Sequence, residues 1–91
     1  MAIQLTGHIE ITDSDLEAVL KHLPQHIAAT RAESGCLKFE VVQRTDYPLI
    51  FDVDELFVDK AAFDAHQKRV RASDWGSVTA GAKRHYQVTE T

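Results

Sequence analysis

The chain has 91 residues, of which 44% are hydrophobic and 26% charged, a composition typical of one soluble globular domain spanning residues 1–91. Its net charge of −4 argues against a nucleic-acid partner, because phosphate binding needs a basic surface, and no apolar run approaches the ~20 residues that cross a membrane. The single cysteine, Cys36, excludes an internal disulfide and indicates a reducing, cytoplasmic location.

The first predicted elements are a half-buried strand and a long helix. Polar and apolar residues alternate strictly over 3–11, which predicts a strand with one buried face. Residues 12–14 then offer helix N-caps. Pro24 is expected to kink the helix, and Gly35 to end it with a positive φ. The apolar stripe of this helix consists of Leu16, Val19, Leu20, Leu23 and Ile27.

Two strands are predicted to follow as an antiparallel hairpin. The first covers residues 36–44, and the second covers residues 49–58 after a turn at 45–48. One side of the first strand is predicted to carry Leu37, Phe39 and Val41.

The remaining chain predicts two helices and a last strand. Asp59 is a candidate N-cap for a helix over Lys60–Arg71, and Ser73 or Asp74 is a candidate cap for a further short helix. A strand over residues 84–89 ends the pattern. The order βαββαβ predicts an α+β fold of the ferredoxin-like, split βαβ type.

One face of the predicted sheet has no helix to cover it. Its apolar residues are Val42, Ile50, Leu56 and Val58. A second copy of the chain would cover this face, so the sequence predicts a homodimer.

The stretch from Phe51 to His66 is the most informative for function. Glu55 falls on the strand face that also carries aromatic side chains, and His66 lies one helical turn beyond Phe63. Burial of either group without a partner would be costly. We therefore expect Glu55 and His66 to approach each other at a small pocket between the sheet and its covering helix.

Three segments resemble the antibiotic biosynthesis monooxygenase domain family. They are residues 33–41 (Glu-Ser-Gly-Cys-Leu-Lys-Phe-Glu-Val), residues 51–55, and residues 62–66 (Ala-Phe-Asp-Ala-His). The family includes quinol monooxygenases and anthrone oxygenases that use no metal or flavin. The resemblance implies a dimeric α+β barrel with two sheets packed face to face, and a cavity between sheet and helices in each subunit.

The resemblance also implies roles for individual residues. His66 matches a histidine that points toward the cavity, Glu55 an acidic residue of the third strand, and Trp75 an aromatic residue beside the pocket. Gly7 and His8 stand where haem-degrading relatives use an asparagine, and those relatives carry a tryptophan near the position of His66. Haem degradation is therefore not expected.

The expected chemistry centres on His66 as a general base, with Glu55 as its orienting partner. The alternative is a structural pair that fixes the helix on the sheet. Candidate walls of a substrate site are Trp75, Phe39, Phe51, Phe57, Phe63 and Tyr86, unless they simply form core.

Other reactive residue types give weaker patterns. His22 and His26 have the i,i+4 spacing that can hold zinc, but no third ligand is evident and Pro24 distorts the turn, so we predict no metal site. Cys36 is interpreted as a small buried residue rather than a nucleophile.

Two functions therefore remain open from the sequence. The first is a cofactor-independent monooxygenase acting on a phenol, quinol or polyketide-like aromatic. The second is a non-catalytic dimeric module that binds a small apolar ligand or stabilises a partner.

Overall fold

Alternating side chains build a four-stranded sheet, and helices cover one of its faces. The computed structural model describes residues 1–91, with all strand pairs antiparallel in the order β2-β3-β1-β4. The strands are β1 (Ile3–Glu10), β2 (Cys36–Gln43), β3 (Ile50–Phe57) and β4 (Lys83–Glu90). The helices are α1 (Leu16–Arg31), α2 (Lys60–Arg71) and α3 (Asp74–Val78), with a 3₁₀ turn at Asp13–Asp15.

This architecture confirms the predicted α+β, ferredoxin-like fold, including the short helix α3 before the last strand. None of the helices combines the length and the apolar character needed to span a bilayer.

The hydrophobic core lies between the sheet and the helices. Phe51 and Phe57 are fully buried on β3, and Val19 of α1 is fully buried against the same layer. Each such side chain stabilises the fold by about 1.5–3 kcal/mol through burial. The core cluster consists of Leu5, Ile9, Ile11, Val19, Phe39, Val41, Phe51, Val53 and Trp75.

The helix caps follow the sequence in α2 and α3 but not in α1. The Asp59 carboxylate accepts from the Ala62 backbone N–H at 2.8 Å, and the Ser73 hydroxyl accepts from the Gly76 N–H at 3.2 Å. Residues 12–14 do not cap α1, because the chain first forms the 3₁₀ turn. The helix then continues through Pro24 to Arg31.

The prediction of a positive φ at Gly35 was wrong. Gly7 is the only glycine with a positive φ, at 148°, and a Cβ there would strike the backbone carbonyl of His85 on β4. Gly35 is required for a different reason: a Cβ at this position would collide with the Cβ of Ala62. The glycine lets the start of β2 approach the start of α2.

The placement of Leu37 on the same side of β2 as Phe39 and Val41 was also wrong. The register shifts between Cys36 and Lys38, so Leu37 is an extra residue in a β-bulge and is 58% exposed. The bulge keeps Phe39 and Val41 buried on the helix side.

The second face of the sheet carries apolar residues and ion pairs together. Val42 is 58% exposed there. Lys38 pairs with Asp54 at 2.7 Å and Arg44 with Asp52 at 2.8 Å. The homodimer through this face stays a prediction.

Candidate functional site

The strand and helix patterns bring Glu55 and His66 together inside the protein. Glu55 faces the helices between Leu5 of β1 and Phe39 of β2, and it is 6% exposed. His66 lies on α2, is 3% exposed, and packs its ring 4.8 Å from the ring of Phe57. The expected approach is therefore present, with 3.6 Å between His66 Nε2 and Glu55 Oε1.

The hydrogen-bonded partner of His66 is nevertheless Glu33, not Glu55. Glu33 Oε1 lies 2.9 Å from His66 Nδ1, whereas 3.6 Å is too long for a hydrogen bond to Glu55. Glu33 comes from the turn between α1 and β2. The residue that orients the imidazole is thus one that the sequence-based interpretation left in helix α1.

Arg69 fixes Glu33 in turn. Its Nε donates to Glu33 Oε2 at 2.6 Å, and its Nη2 donates to the hydroxyl of the buried Thr30 at 2.9 Å. A carboxylate held in this way accepts the Nδ1–H of His66. The neutral ring then has its Nε2 lone pair directed toward Glu55.

Burial shifts the protonation of both central groups toward neutrality. It raises the pKa of Glu55 to about 7, with further contributions from the negative charges of Glu33 and Asp54. Burial lowers the pKa of His66, while Glu33 acts in the opposite direction. Glu55 Oε1 is buried with no hydrogen-bond partner in the chain. Near pH 7 the site therefore holds two groups able to exchange a proton.

A second buried histidine, His26, adjoins this pair. Its ring stacks on Trp75 with 4.6 Å between centroids and lies 6.3 Å from the ring of His66. Burial, followed by the positive charges of His66 and Arg69, lowers the pKa of His26 to about 3. The sequence could have predicted the burial of His26, because this residue lies three positions after Leu23 on the apolar stripe of α1.

Two cavities flank these residues. The first, here called the His66 cavity, has a volume of about 360 Å³. It is lined by Glu33, Ser34, Gly35, Phe57, Ala62, Ala65, His66 and Arg69. The second, the Trp75 cavity, has a volume of about 290 Å³ and lies between α1 and the α2–α3 junction. It is lined by His22, Gln25, His26, Ala29, Arg69, Ala72, Ser73, Asp74 and Trp75.

The predicted site residues divide between these environments. His66 and Phe57 line the His66 cavity, whereas Trp75 lines the other. Glu55, Phe39, Phe51 and Phe63 line neither.

Several of these residues contribute packing rather than cavity wall. Phe39 and Phe51 belong to the core, and Phe63 packs edge-on against Phe57 at 5.8 Å. Tyr86 lies on β4, is 38% exposed and lines neither cavity. Burial, together with the negative charge of Glu55, raises the pKa of Tyr86 to about 12.

No three His, Cys, Asp or Glu side chains are grouped so that they could hold a metal ion. His22 and His26 both line the Trp75 cavity. Burial and the charge of Glu33 raise the pKa of the Cys36 thiol, which disfavours the reactive thiolate.

Comparison with known proteins identifies the family of this sequence. Residues 3–76 match the model of the antibiotic biosynthesis monooxygenase family. No curated protein matches the sequence significantly.

Several solved structures share the whole fold at low sequence identity. A proposed antibiotic biosynthesis monooxygenase from Nitrosomonas europaea is 17% identical, with a TM-score of 0.82 and coverage of 100% of this chain and 98% of the other. One from Deinococcus radiodurans is 18% identical, with a TM-score of 0.74 and coverage of 100% and 92%. A conserved protein from Methanosarcina mazei is 17% identical, with a TM-score of 0.75 and coverage of 99% and 92%. At such identities these structures establish the fold alone.

Proposed function

The chain belongs to the antibiotic biosynthesis monooxygenase family, and from that premise we propose that it is a cofactor-independent monooxygenase acting on a phenolic, quinol or polyketide-like aromatic substrate. The observation that supports this proposal best is the line Glu33–His66–Glu55, in which His66 and Glu55 are buried. One end of the imidazole is held at 2.9 Å, and the other faces a carboxyl oxygen that no group of the chain bonds.

In this proposal His66 is the general base. The bond from Nδ1 to Glu33 leaves the Nε2 lone pair to accept the substrate proton, and Glu33 then stabilises the imidazolium. Arg69 is a positioning residue that acts through Glu33. Glu55, whose pKa is raised to about 7 and whose Oε1 lies 3.6 Å from Nε2, takes the proton onward from the imidazole.

The substrate supplies the electrons for the reaction, and dioxygen accepts them. Deprotonation gives an electron-rich anion, which passes one electron to dioxygen to form a substrate radical and superoxide. Their recombination forms a carbon–peroxide bond. The peroxide takes the proton held by His66. Loss of the remaining hydrogen of that carbon as a proton then breaks the O–O bond, so one oxygen stays as a carbonyl and the other leaves as hydroxide, which combines with that proton to give water.

The His66 cavity suits a planar aromatic molecule with one polar end. Phe57, Ala62 and Ala65 provide an apolar wall, while Glu33 and His66 provide the polar end. Its volume of about 360 Å³ lies at the lower end of the usual range for small-ligand pockets. Exclusion of water by the apolar wall would strengthen the electrostatic contacts of the anion.

The second candidate is a ligand-binding module of the same fold without catalysis. It is favoured by one observation: Glu55 does not line the His66 cavity, and only 3% of His66 is exposed. In that case Glu55 and His66 would be a structural pair that fixes α2 on the sheet.

In either case we propose a homodimer formed through the sheet face that carries Val42. A cytoplasmic location remains a prediction based on the free thiol of Cys36.

Oxygen uptake by metal-free protein tests the proposal. A panel of quinols and anthrones, assayed with a chelator present, should contain at least one substrate whose oxidation consumes dioxygen in proportion to enzyme concentration. Glu17→Ala is a suitable control, since Glu17 is exposed on α1 and outside both cavities. Saturable binding of the same compounds without oxygen uptake would favour the binding module.

A further inference from the structure

The Trp75 cavity is a second built pocket that the proposed reaction does not use. Its volume of about 290 Å³ suits a ligand of roughly one aromatic ring with substituents. Among the groups of the acid–base site, only Arg69 lines it; Glu33, Glu55 and His66 do not.

The wall of this cavity is preformed. The rings of His26 and Trp75 are nearly parallel, 6° between planes, and are only 6% and 8% exposed. Beside them the Ser73 hydroxyl donates to the Val70 carbonyl at 2.7 Å and accepts from the Gly76 N–H, which fixes the start of α3. A ligand entering a pocket of this kind pays little for ordering its walls.

Two side chains that line the cavity, Arg69 and His26, have hydrogen-bonding groups without a partner in the chain. Arg69 donates from Nε to Glu33 and from Nη2 to Thr30, so its Nη1 group has no hydrogen bond inside the protein. Nδ1 of His26 is buried and also has no partner in the chain. The guanidinium fork matches the planar geometry of a carboxylate.

We propose that the Trp75 cavity binds a small aromatic carboxylate, with its carboxylate on the free side of Arg69 and its ring against Trp75 and the adjacent Ala29 and Ala72. Arg69 is the only lysine or arginine on the cavity wall, and its positive charge favours an anion here. Asp74 is the only carboxylate on the cavity wall and opposes this preference.

Trp75 is the only tryptophan of the chain, so its fluorescence reports binding directly. Benzoate should change the signal saturably, and its Kd should be at least about tenfold lower than that of the neutral isostere benzamide, a factor worth ~1.4 kcal/mol. Equal affinities for the two probes, or no saturable benzoate signal, would overturn the proposal.

Four variants locate the site. Ala29→Leu should fill the cavity and abolish benzoate binding, whereas Ala65→Leu, in the His66 cavity, should leave the benzoate Kd unchanged. Arg69→Met should weaken benzoate at least about tenfold, and Asp74→Asn should tighten it by removing repulsion.

Either of two results would contradict the placement or the charge preference. Loss of benzoate binding in Ala65→Leu would place the ligand in the His66 cavity. Weaker binding in Asp74→Asn would show that the site prefers a cation or a hydrogen-bond donor. If Arg69→Met fails to fold by circular dichroism, Asp74→Asn and the benzamide comparison still decide the question.

Discussion

Nδ1 of His66 lies 2.9 Å from Oε1 of Glu33, although 33 positions separate the two residues in the chain. This contact connects the turn after α1 to the middle of α2. It fixes the ring tautomer and holds the helix against the start of β2, so it serves both the chemistry and the fold.

Replacement of Glu33 by Gln should affect stability and turnover together. The change removes the negative charge of the carboxylate that accepts hydrogen bonds from both His66 and Arg69. Hydrogen bonds to charged groups stabilise a fold by about 1.5–3 kcal/mol each, and solvent exposure reduces this contribution. We expect a loss of about 1–2 kcal/mol by urea unfolding. Glu17→Gln, at an exposed site on α1, is the control and should change little. Equal stability of the two variants would show that the contact contributes nothing.

The raised pKa of Glu55 predicts a pH dependence of stability. The folded protein holds this proton up to about pH 7, whereas the unfolded chain releases it near 4.5. The folded state thus binds more protons across this window, and its stability should fall as pH rises from about 4.5 to 7. The free energy of unfolding should fall by an amount of the order of 3 kcal/mol across this window. Urea unfolding of Glu55→Gln should lack this slope; an unchanged slope would assign it to another group.

His26 predicts a slope of the opposite sign. Its pKa is lowered from 6.5 to about 3, so the unfolded chain binds the proton first and stability should fall as pH drops from about 6.5 toward 3. His26→Phe keeps a ring beside Trp75 but cannot take up a proton. The difference in free energy of unfolding between wild type and this variant, measured by denaturant titration at each pH, separates the contribution of His26 from that of Glu55. A difference that stays constant with pH would refute the burial of a neutral imidazole.

Gly35→Ala should destabilise by steric conflict rather than by backbone strain. The added Cβ meets the Cβ of Ala62, and overpacking of this kind costs typically about 1–3 kcal/mol. The companion change Ala62→Gly should recover part of the loss in a double-mutant cycle. Additive effects of the two changes would mean that the residues do not meet.

The homodimer is tested by light scattering at micromolar concentration. Two copies packed through the sheet face should give twice the 10.2 kDa mass of the chain and bury more than about 1,000 Å² in total. Val42→Lys, which places a charge on a 58% exposed position of that face, should weaken the dimer. A monomeric wild-type protein would contradict the prediction.

Local patterns in the sequence predicted most of the fold. The alternation over residues 3–11 fixed which face of β1 is buried, and Asp59 identified the start of α2, because both depend on neighbouring residues. The bulge at Leu37 was missed because it depends on pairing with β3, which a single strand does not encode.

The site was only partly predictable for the same reason. Strand and helix periodicity predicted that Glu55 and His66 face each other, and the structure brings their side chains within 3.6 Å. The role of Glu33 depends on where the turn after α1 is placed in space, and Arg69 then follows as its partner. The division of the aromatic residues between core and two cavities depends on how the helices pack, which spacing alone does not determine.

The central claim is that His66 removes a proton from an aromatic substrate without a cofactor. Oxygen consumption by metal-free wild-type protein and by His66→Ala, measured on the same quinol or anthrone, tests it most directly. We predict that the variant folds normally and loses turnover by about 10²-fold or more, the usual scale for removal of a general base. Full oxygen consumption by a correctly folded His66→Ala protein would contradict the claim.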